Sequence, residues 1–232
     1  MLTTSITRAV ARTSMMIASV AVAATVTIAA ARVGIAAAEP AKALATRPGP
    51  KEPSNKWLDG LTSKHKQFFD APTANGGVPL VHVMNYYDTY NKAFGVKDVD
   101  VKAVLTFYGA TTFYALNDAV WAKYKLGEFL DTTDPATGKP ATANPWRNAP
   151  VILGMTLPSA SIESLSSRGA TLILCNNALS IFAGLLAQKR GLATNVVYED
   201  LKANILPGID LVPGMVIAVE QAQRAGLSYH RQ

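Results

Sequence analysis

One cysteine, Cys175, is all the thiol chemistry in this 232-residue chain. A lone cysteine makes no intrachain disulfide, so a hydrophobic core and not a covalent framework must hold the fold. Charge is also scarce, at 16% of residues against 49% hydrophobic ones, which excludes a chain too polar to collapse. There is no Lys/Arg run and no basic stripe interleaved with aromatics, so no nucleic-acid partner is expected. No His, Cys, Asp and Glu cluster has metal-ligand spacing, and no metal is expected. A Gly-x-Gly-x-x-Gly turn, a Walker-type loop and a Ser-His-Asp pattern are all missing, so no cofactor is expected.

The N-terminus has the pattern of an export signal. Residues 1–14 contain Arg8 and Arg12 and no acid, residues 15–31 are all apolar or small, and Ala36-Ala37-Ala38 precedes Glu39-Pro40. These are the basic, apolar and small-residue cleavage regions of a secretory leader, with the cut expected after Ala38. Residues 1–38 are therefore read as a signal peptide and the mature protein as exported, in the periplasm. The alternative is an uncleaved membrane anchor through residues 15–31, about 17 residues long and rich in Ala. The formal charge of +6 includes Arg8, Arg12 and Arg32, so cleavage leaves 22 less 3 basic residues against 16 acidic ones, about +3. Residues 39–56 hold Pro40, Pro48, Pro50 and Pro53 without apolar periodicity and read as a flexible linker. The folded domain is expected over 57–232.

Within that domain, residues 79–84 after Gly76-Gly77 read as a strand carrying His82, followed by a helix to Phe94 stopped by Gly95. Residues 101–107 read as a second strand, and 113–125 as a helix with Leu116, Val120 and Tyr124 at four-residue spacing. Four prolines and Asp131-Thr132-Thr133-Asp134 make 128–150 a long loop or insertion. Ser159 is expected to cap a helix ending at Gly169. Residues 170–175 form a continuous apolar run, expected as a strand buried on both faces of a parallel sheet. Helices over 176–190 and 194–204, a strand over 209–212, a helix to Ala225 and an edge strand over 227–230 complete the order. Alternation of strands and helices predicts an α/β fold: an open, mostly parallel sheet with helices on both faces.

Cys175 then falls where a buried strand turns into a helix. In open α/β sheets ligands bind beyond the carboxyl ends of the strands. The free N–H groups and dipole of a helix N-terminus stabilise negative charge on a sulfur placed there. Asn176 and Asn177 are candidates to hold a sulfur anion or a bound oxyanion. Asn85 after the first expected strand, and Gly109, Thr111 and Thr112 after the second, would share that edge and line the same pocket. The plain alternatives are a small buried hydrophobe for Cys175 and ordinary turn chemistry for the rest. His82 reads as a core or interface histidine, or as a proton donor at the sheet edge.

The run Leu174-Cys175-Asn176-Asn177-Ala178-Leu179, with Leu206-Pro207-Gly208-Ile209-Asp210-Leu211-Val212-Pro213-Gly214 and Gly226-Leu227-Ser228-Tyr229, resembles the DsrE-like (DsrE/DsrF) family. The stretch over 115–124 is similar to an exported branch of it. The resemblance spans roughly 57–230. It implies a flavodoxin-like three-layer α/β domain, assembly into a homo-oligomer, and carriage of sulfur as a persulfide on Cys175. A sulfur donor or acceptor protein, or a small sulfur compound, would be its partner. Two features depart from the better-studied relatives: the export signal and the 128–150 insertion. The competing expectation is a non-catalytic ligand-binding or assembly module, with Cys175 structural and Trp121, Tyr124 and Trp146 at an oligomer interface. A third is an intermolecular disulfide through Cys175. A membrane is a partner only if the leader stays attached.

Overall fold

The computed structural model describes residues 55–232; the expected leader, its expected cleavage point and residues 39–54 of the expected linker lie outside them. In chain order the elements are α1 (Lys56–Asp59), β1 (His65–Asp70), α2 (Val78–Phe94), β2 (Val101–Phe107), α3 (Asp118–Lys123) and α4 (Leu126–Leu130). A two-residue hairpin of β3 (Val151–Ile152) and β4 (Met155–Thr156) follows, then α5 (Ile162–Ser167), β5 (Thr171–Cys175), α6 (Asn176–Arg190), α7 (Thr194–Ala203), β6 (Ile209–Val212), α8 (Met215–Arg224) and β7 (Ser228–Arg231). Five strands form one sheet in the order β6-β5-β2-β1-β7, with every neighbouring pair parallel. Helices surround it, so the fold is the open α/β sandwich that the alternation predicts, of the flavodoxin-like form that the resemblance implies.

The topology decides how the two faces are filled. From β1 through β2 and β5 to β6 the chain moves steadily in one direction, and only the last crossover returns, to place β7 beside β1. Right-handed crossovers in one direction put their helices on one face, and the returning one goes to the other. Accordingly α2 to α7 pack against Phe69, Leu105, Phe107, Leu172 and Leu174 in the larger core cluster. Trp57 of α1 and Met215, Ala218 and Ala222 of α8 cover Phe68, Val104, Ile173 and Cys175 on the opposite face. The switch from Phe68 to Phe69, and from Leu174 to Cys175, is the two-residue period of a strand buried on both sides.

Several boundaries differ from the sequence reading. Residues 79–84 are the first turns of α2, not a strand. Pro79 stands in the first helical turn, where its missing N–H costs nothing, and Pro79, Leu80, Val83 and Tyr87 are buried at helical spacing. Gly77, at φ 90°, makes the turn; a Cβ there would lie 2.8 Å from the Ile152 side chain. The first strand is His65–Asp70 instead, which has a polar start and only Phe68, Phe69 and Asp70 buried. Pairing on both sides, with β2 and β7, makes it a strand despite its composition. The helix expected over 113–125 is broken: a 3-10 turn spans Gly109–Ala115, Asn117 caps α3 by accepting the Val120 N–H at 3.2 Å, and α4 takes in the first residues of the supposed insertion. Ser161, not Ser159, caps α5. Trp121, Tyr124 and Trp146 are buried in the core, so none of them lies on a surface that a second chain would cover.

Arg168 ties the α2 face together. Its guanidinium donates to Asp98 at 2.8 Å, Asp88 at 2.6 Å and Asn91 at 2.9 Å, and lies 4.8 Å from the Tyr87 ring centroid. Hydrogen bonds from Lys92 and then Arg168 hold Asp88 below the usual carboxylate range, and the Arg168 bonds do the same for Asp98. Carboxylates so lowered stabilise the fold above their unfolded pKa, and that contribution drains as pH falls below about 4 through the folded values. Arg168→Met is expected to lower the urea midpoint at pH 7 and to flatten its decline below about pH 4. An unchanged acid limb would show that this network does not couple to folding.

Candidate functional site: a thiol at the carboxyl edge of the sheet

Cys175 is the last residue of β5 and the N-cap of α6, and it is buried, with 5% of its surface exposed. Its Sγ accepts the backbone N–H of Ala178 at 3.4 Å, in the first turn of α6. It also accepts the N–H of Met215 at 3.3 Å, the first residue of α8. The two helix starts are brought together because β5 and β6 are neighbours, with Cys175 in register with Val212, and the Asn177 N–H donates to the Pro213 carbonyl at 3.3 Å. Two helix N-termini therefore point N–H groups at one sulfur. That arrangement stabilises negative charge on a sulfur, as on any anion held at a helix start.

The other expected site residues are placed less favourably. Asn176 turns its Oδ1 to the Tyr198 hydroxyl at 2.7 Å, and Asn177 is exposed. The donors on sulfur are main-chain groups and not the two Asn amides. Asn85 lies in the middle of α2 on its exposed side, not at a strand end, and lines a different groove. It is thus not part of the Cys175 pocket. Gly109, Thr111 and Thr112 do follow β2 at the carboxyl edge, but their polar groups are taken. The Thr111 hydroxyl donates to the Ala71 carbonyl at 2.6 Å and accepts the Tyr108 N–H at 3.0 Å. Thr112 donates to the Gly109 carbonyl at 2.8 Å. Gly109, at φ 59°, has no room for a side chain, since a Cβ would fall 2.8 Å from the Pro72 carbonyl oxygen. This turn stitches the end of β2 to the end of β1 and holds the edge rigid.

A second group at this edge went unseen in the sequence. Asp70 ends β1, is 5% exposed, and accepts the Tyr229 hydroxyl. Its other oxygen is buried with no hydrogen-bond partner among the described residues. Tyr108 stands one residue beyond the Phe107–Leu174 pair, beside Cys175, and packs against the same cluster. Burial, and then the nearby Asp70 carboxylate, raise the Tyr108 hydroxyl pKa; the hydrogen bond to Asp70, and then burial, raise that of Tyr229. Asp70 also sits where the strand order reverses, between β1 and β7, the place where open α/β sheets form a ligand crevice. The only signal for it in the chain is the strand His65–Asp70, which composition disguises.

Fold and site together define a class: a parallel-sheet α/β protein with a single buried thiol held by two helix starts at the carboxyl edge. Comparison with protein-family models and with curated proteins finds no match to this chain.

Because the Thr111 hydroxyl bonds the buried Ala71 carbonyl and the part-buried Tyr108 N–H, Thr111→Val should cost about 1–3 kcal/mol by urea unfolding. Alkylation of Cys175 in the folded variant should proceed as in the wild type. A large change in thiol reactivity with little loss of stability would instead make Thr111 part of the chemistry.

Proposed function

We propose that this is an exported DsrE-like protein that handles sulfur through Cys175. The observation that carries this reading is the pair of main-chain N–H groups, from Ala178 and Met215, on one thiol at the ligand-binding edge of the sheet. The thiolate attacks the outer sulfur of a persulfidic donor, R–S–SH. The new Sγ–S bond forms as the donor's S–S bond breaks, and the donor leaves as a thiolate with the bonding pair. Nothing is oxidised or reduced overall. The N–H groups of Ala178 and Met215 that donate to Sγ face the atom that becomes the inner sulfur. The donor or acceptor is a small sulfur compound or a protein, met in the periplasm once the leader is removed.

The burial of Cys175 favours a second reading, a binding or assembly module in which the thiol is an N-cap and core filler. Incubating the protein with a low-molecular-weight persulfide and labelling the product separates the two. The sulfur-handling reading expects one persulfide per chain, on Cys175, and none in Cys175→Ser with its fold intact. No label on the native protein, or an equal label in Cys175→Ser, leaves the binding module.

Self-association belongs to the same proposal. Val216 and Ile217, in the first turn of α8, are exposed large apolar residues, Val216 at 79%. A second copy of the chain is the occupant proposed for this exposed apolar start of α8. In light scattering the wild type should run as an oligomer and the pair Val216→Asp, Ile217→Asp as a monomer. A wild-type monomer would refute the assembly.

A further inference from the structure

On the sheet face opposite Cys175, α2 and the β7 edge enclose a groove of about 420 Å³. One wall is a ladder on α2: His82, Tyr86, Tyr90 and Phe94 follow each other at four-residue spacing, which stacks them along one side of a helix. The other wall is Phe69 of β1 and His230 of β7. The rings form an unbroken chain. Tyr86 meets Tyr90 at 5.1 Å between centroids and 85°, and Phe69 at 5.4 Å and 70°. Tyr90 meets Phe94 at 5.7 Å, Phe69 meets His230 at 5.5 Å, and His230 stacks on His82 at 5.2 Å and 22°. Edge-to-face neighbours present ring faces and ring edges in alternation.

The polar groups in the groove are amides, hydroxyls and two imidazoles. Gln67, Asn85 and Thr89 bring two amides and a hydroxyl to the lining. His82 hydrogen-bonds through Nδ1 to the Gln232 side chain at 2.5 Å, which fixes its ring against the end of the chain. Burial, and then the neighbouring His82, hold His230 below the ordinary histidine pKa. Among the described residues the lining includes no Asp, Glu, Lys or Arg. An ion entering here would lose water without gaining a counter-charge.

We propose that this groove binds an uncharged, planar aromatic or heteroaromatic molecule, stacked along the α2 ladder and oriented by the Gln67 and Asn85 amides. The volume lies within the range of small-molecule sites, and the mixture of aromatic walls with a few polar groups is their usual make-up. The larger cleft beside the 131–147 loop suits this less well, because Asp131, Asp134 and Arg147 bring charge to its lining and several of its polar groups are already engaged. Asn144 donates to the Tyr114 and Leu116 carbonyls, Asp134 accepts from Ala136 and Thr137, and Arg147 pairs with Asp118 and Glu163. The groove lies across the sheet from Cys175, so it stands or falls independently of the sulfur reading.

The full-length protein can be titrated with N-phenyl-1-naphthylamine, a neutral fluorophore that brightens in apolar sites. One saturable site per chain is expected, insensitive to salt, and undisturbed by Cys175→Ser. Phe94, 69% exposed, can be truncated without touching the core, and Phe94→Ala should weaken binding at least tenfold. Thr89→Trp, at an exposed helix position, should fill the groove and abolish it. The anionic 8-anilinonaphthalene-1-sulfonate should bind at least tenfold more weakly, and tetramethylammonium should not displace the neutral dye. Equal binding in both variants would place the dye elsewhere, such as on the exposed start of α8. A tighter sulfonate, or displacement by tetramethylammonium, would make the groove an ion site. Any of these overturns the proposal.

Discussion

Strand β2 has parallel partners on both sides, with Val104 in register with Phe68 of β1 and with Thr171 of β5. Six of its seven residues are buried. Parallel strands cannot be joined by hairpins, so every connection must cross over the sheet, and the crossover hand assigns each helix to a face. From this one registration follow the thick helical layer of α2 to α7, the thin layer of α1 and α8, and the position of both clusters of functional interest. It also brings all strand ends to one edge, where main-chain donors concentrate.

At that edge the sequence-distant parts meet in a definite way. Cys175 leaves β5 and Met215 opens α8 forty residues later, yet one sulfur accepts from both helices because β5 and β6 are neighbours. Asp70, Tyr108 and Tyr229 come together from β1, the end of β2 and β7 by the same logic. The Thr111 turn, bonded back to Ala71, holds the first two strand ends at a set distance. Rigid main-chain geometry and not mobile side chains therefore shapes the surroundings of the thiol.

The two sheet faces have different characters. Around Cys175 the contacts are close and the polar groups are few, with a buried carboxylate oxygen left over at the reversal of strand order. Along α2 the aromatic ladder stands beside the edge strand, so its rings line a groove and are only partly covered. The difference originates in the single returning crossover, which places β7 next to β1 at the sheet edge.

Elements whose local pattern and tertiary role agree were legible in the chain. β2, β5, α6 and β6 fall within a residue of their expected bounds, since apolar runs closed by Gly191 or Pro213 leave no competing conformation. The strand-to-helix turn at Cys175 was legible for the same reason. The register of strands was not, and three readings went with it. β1 is polar at its start and becomes a strand only through its two neighbours. Residues 79–84 look like a strand by composition, but their helix is set by Pro79 and by burial every third or fourth residue. Asn85 accordingly moved from the sheet edge to a helix flank, while Met215 and Asp70 entered the site with no motif to announce them. Local sequence specifies φ and ψ preferences and caps. Which main-chain N–H meets which sulfur depends on strand order, a property of pairs of segments far apart in the chain.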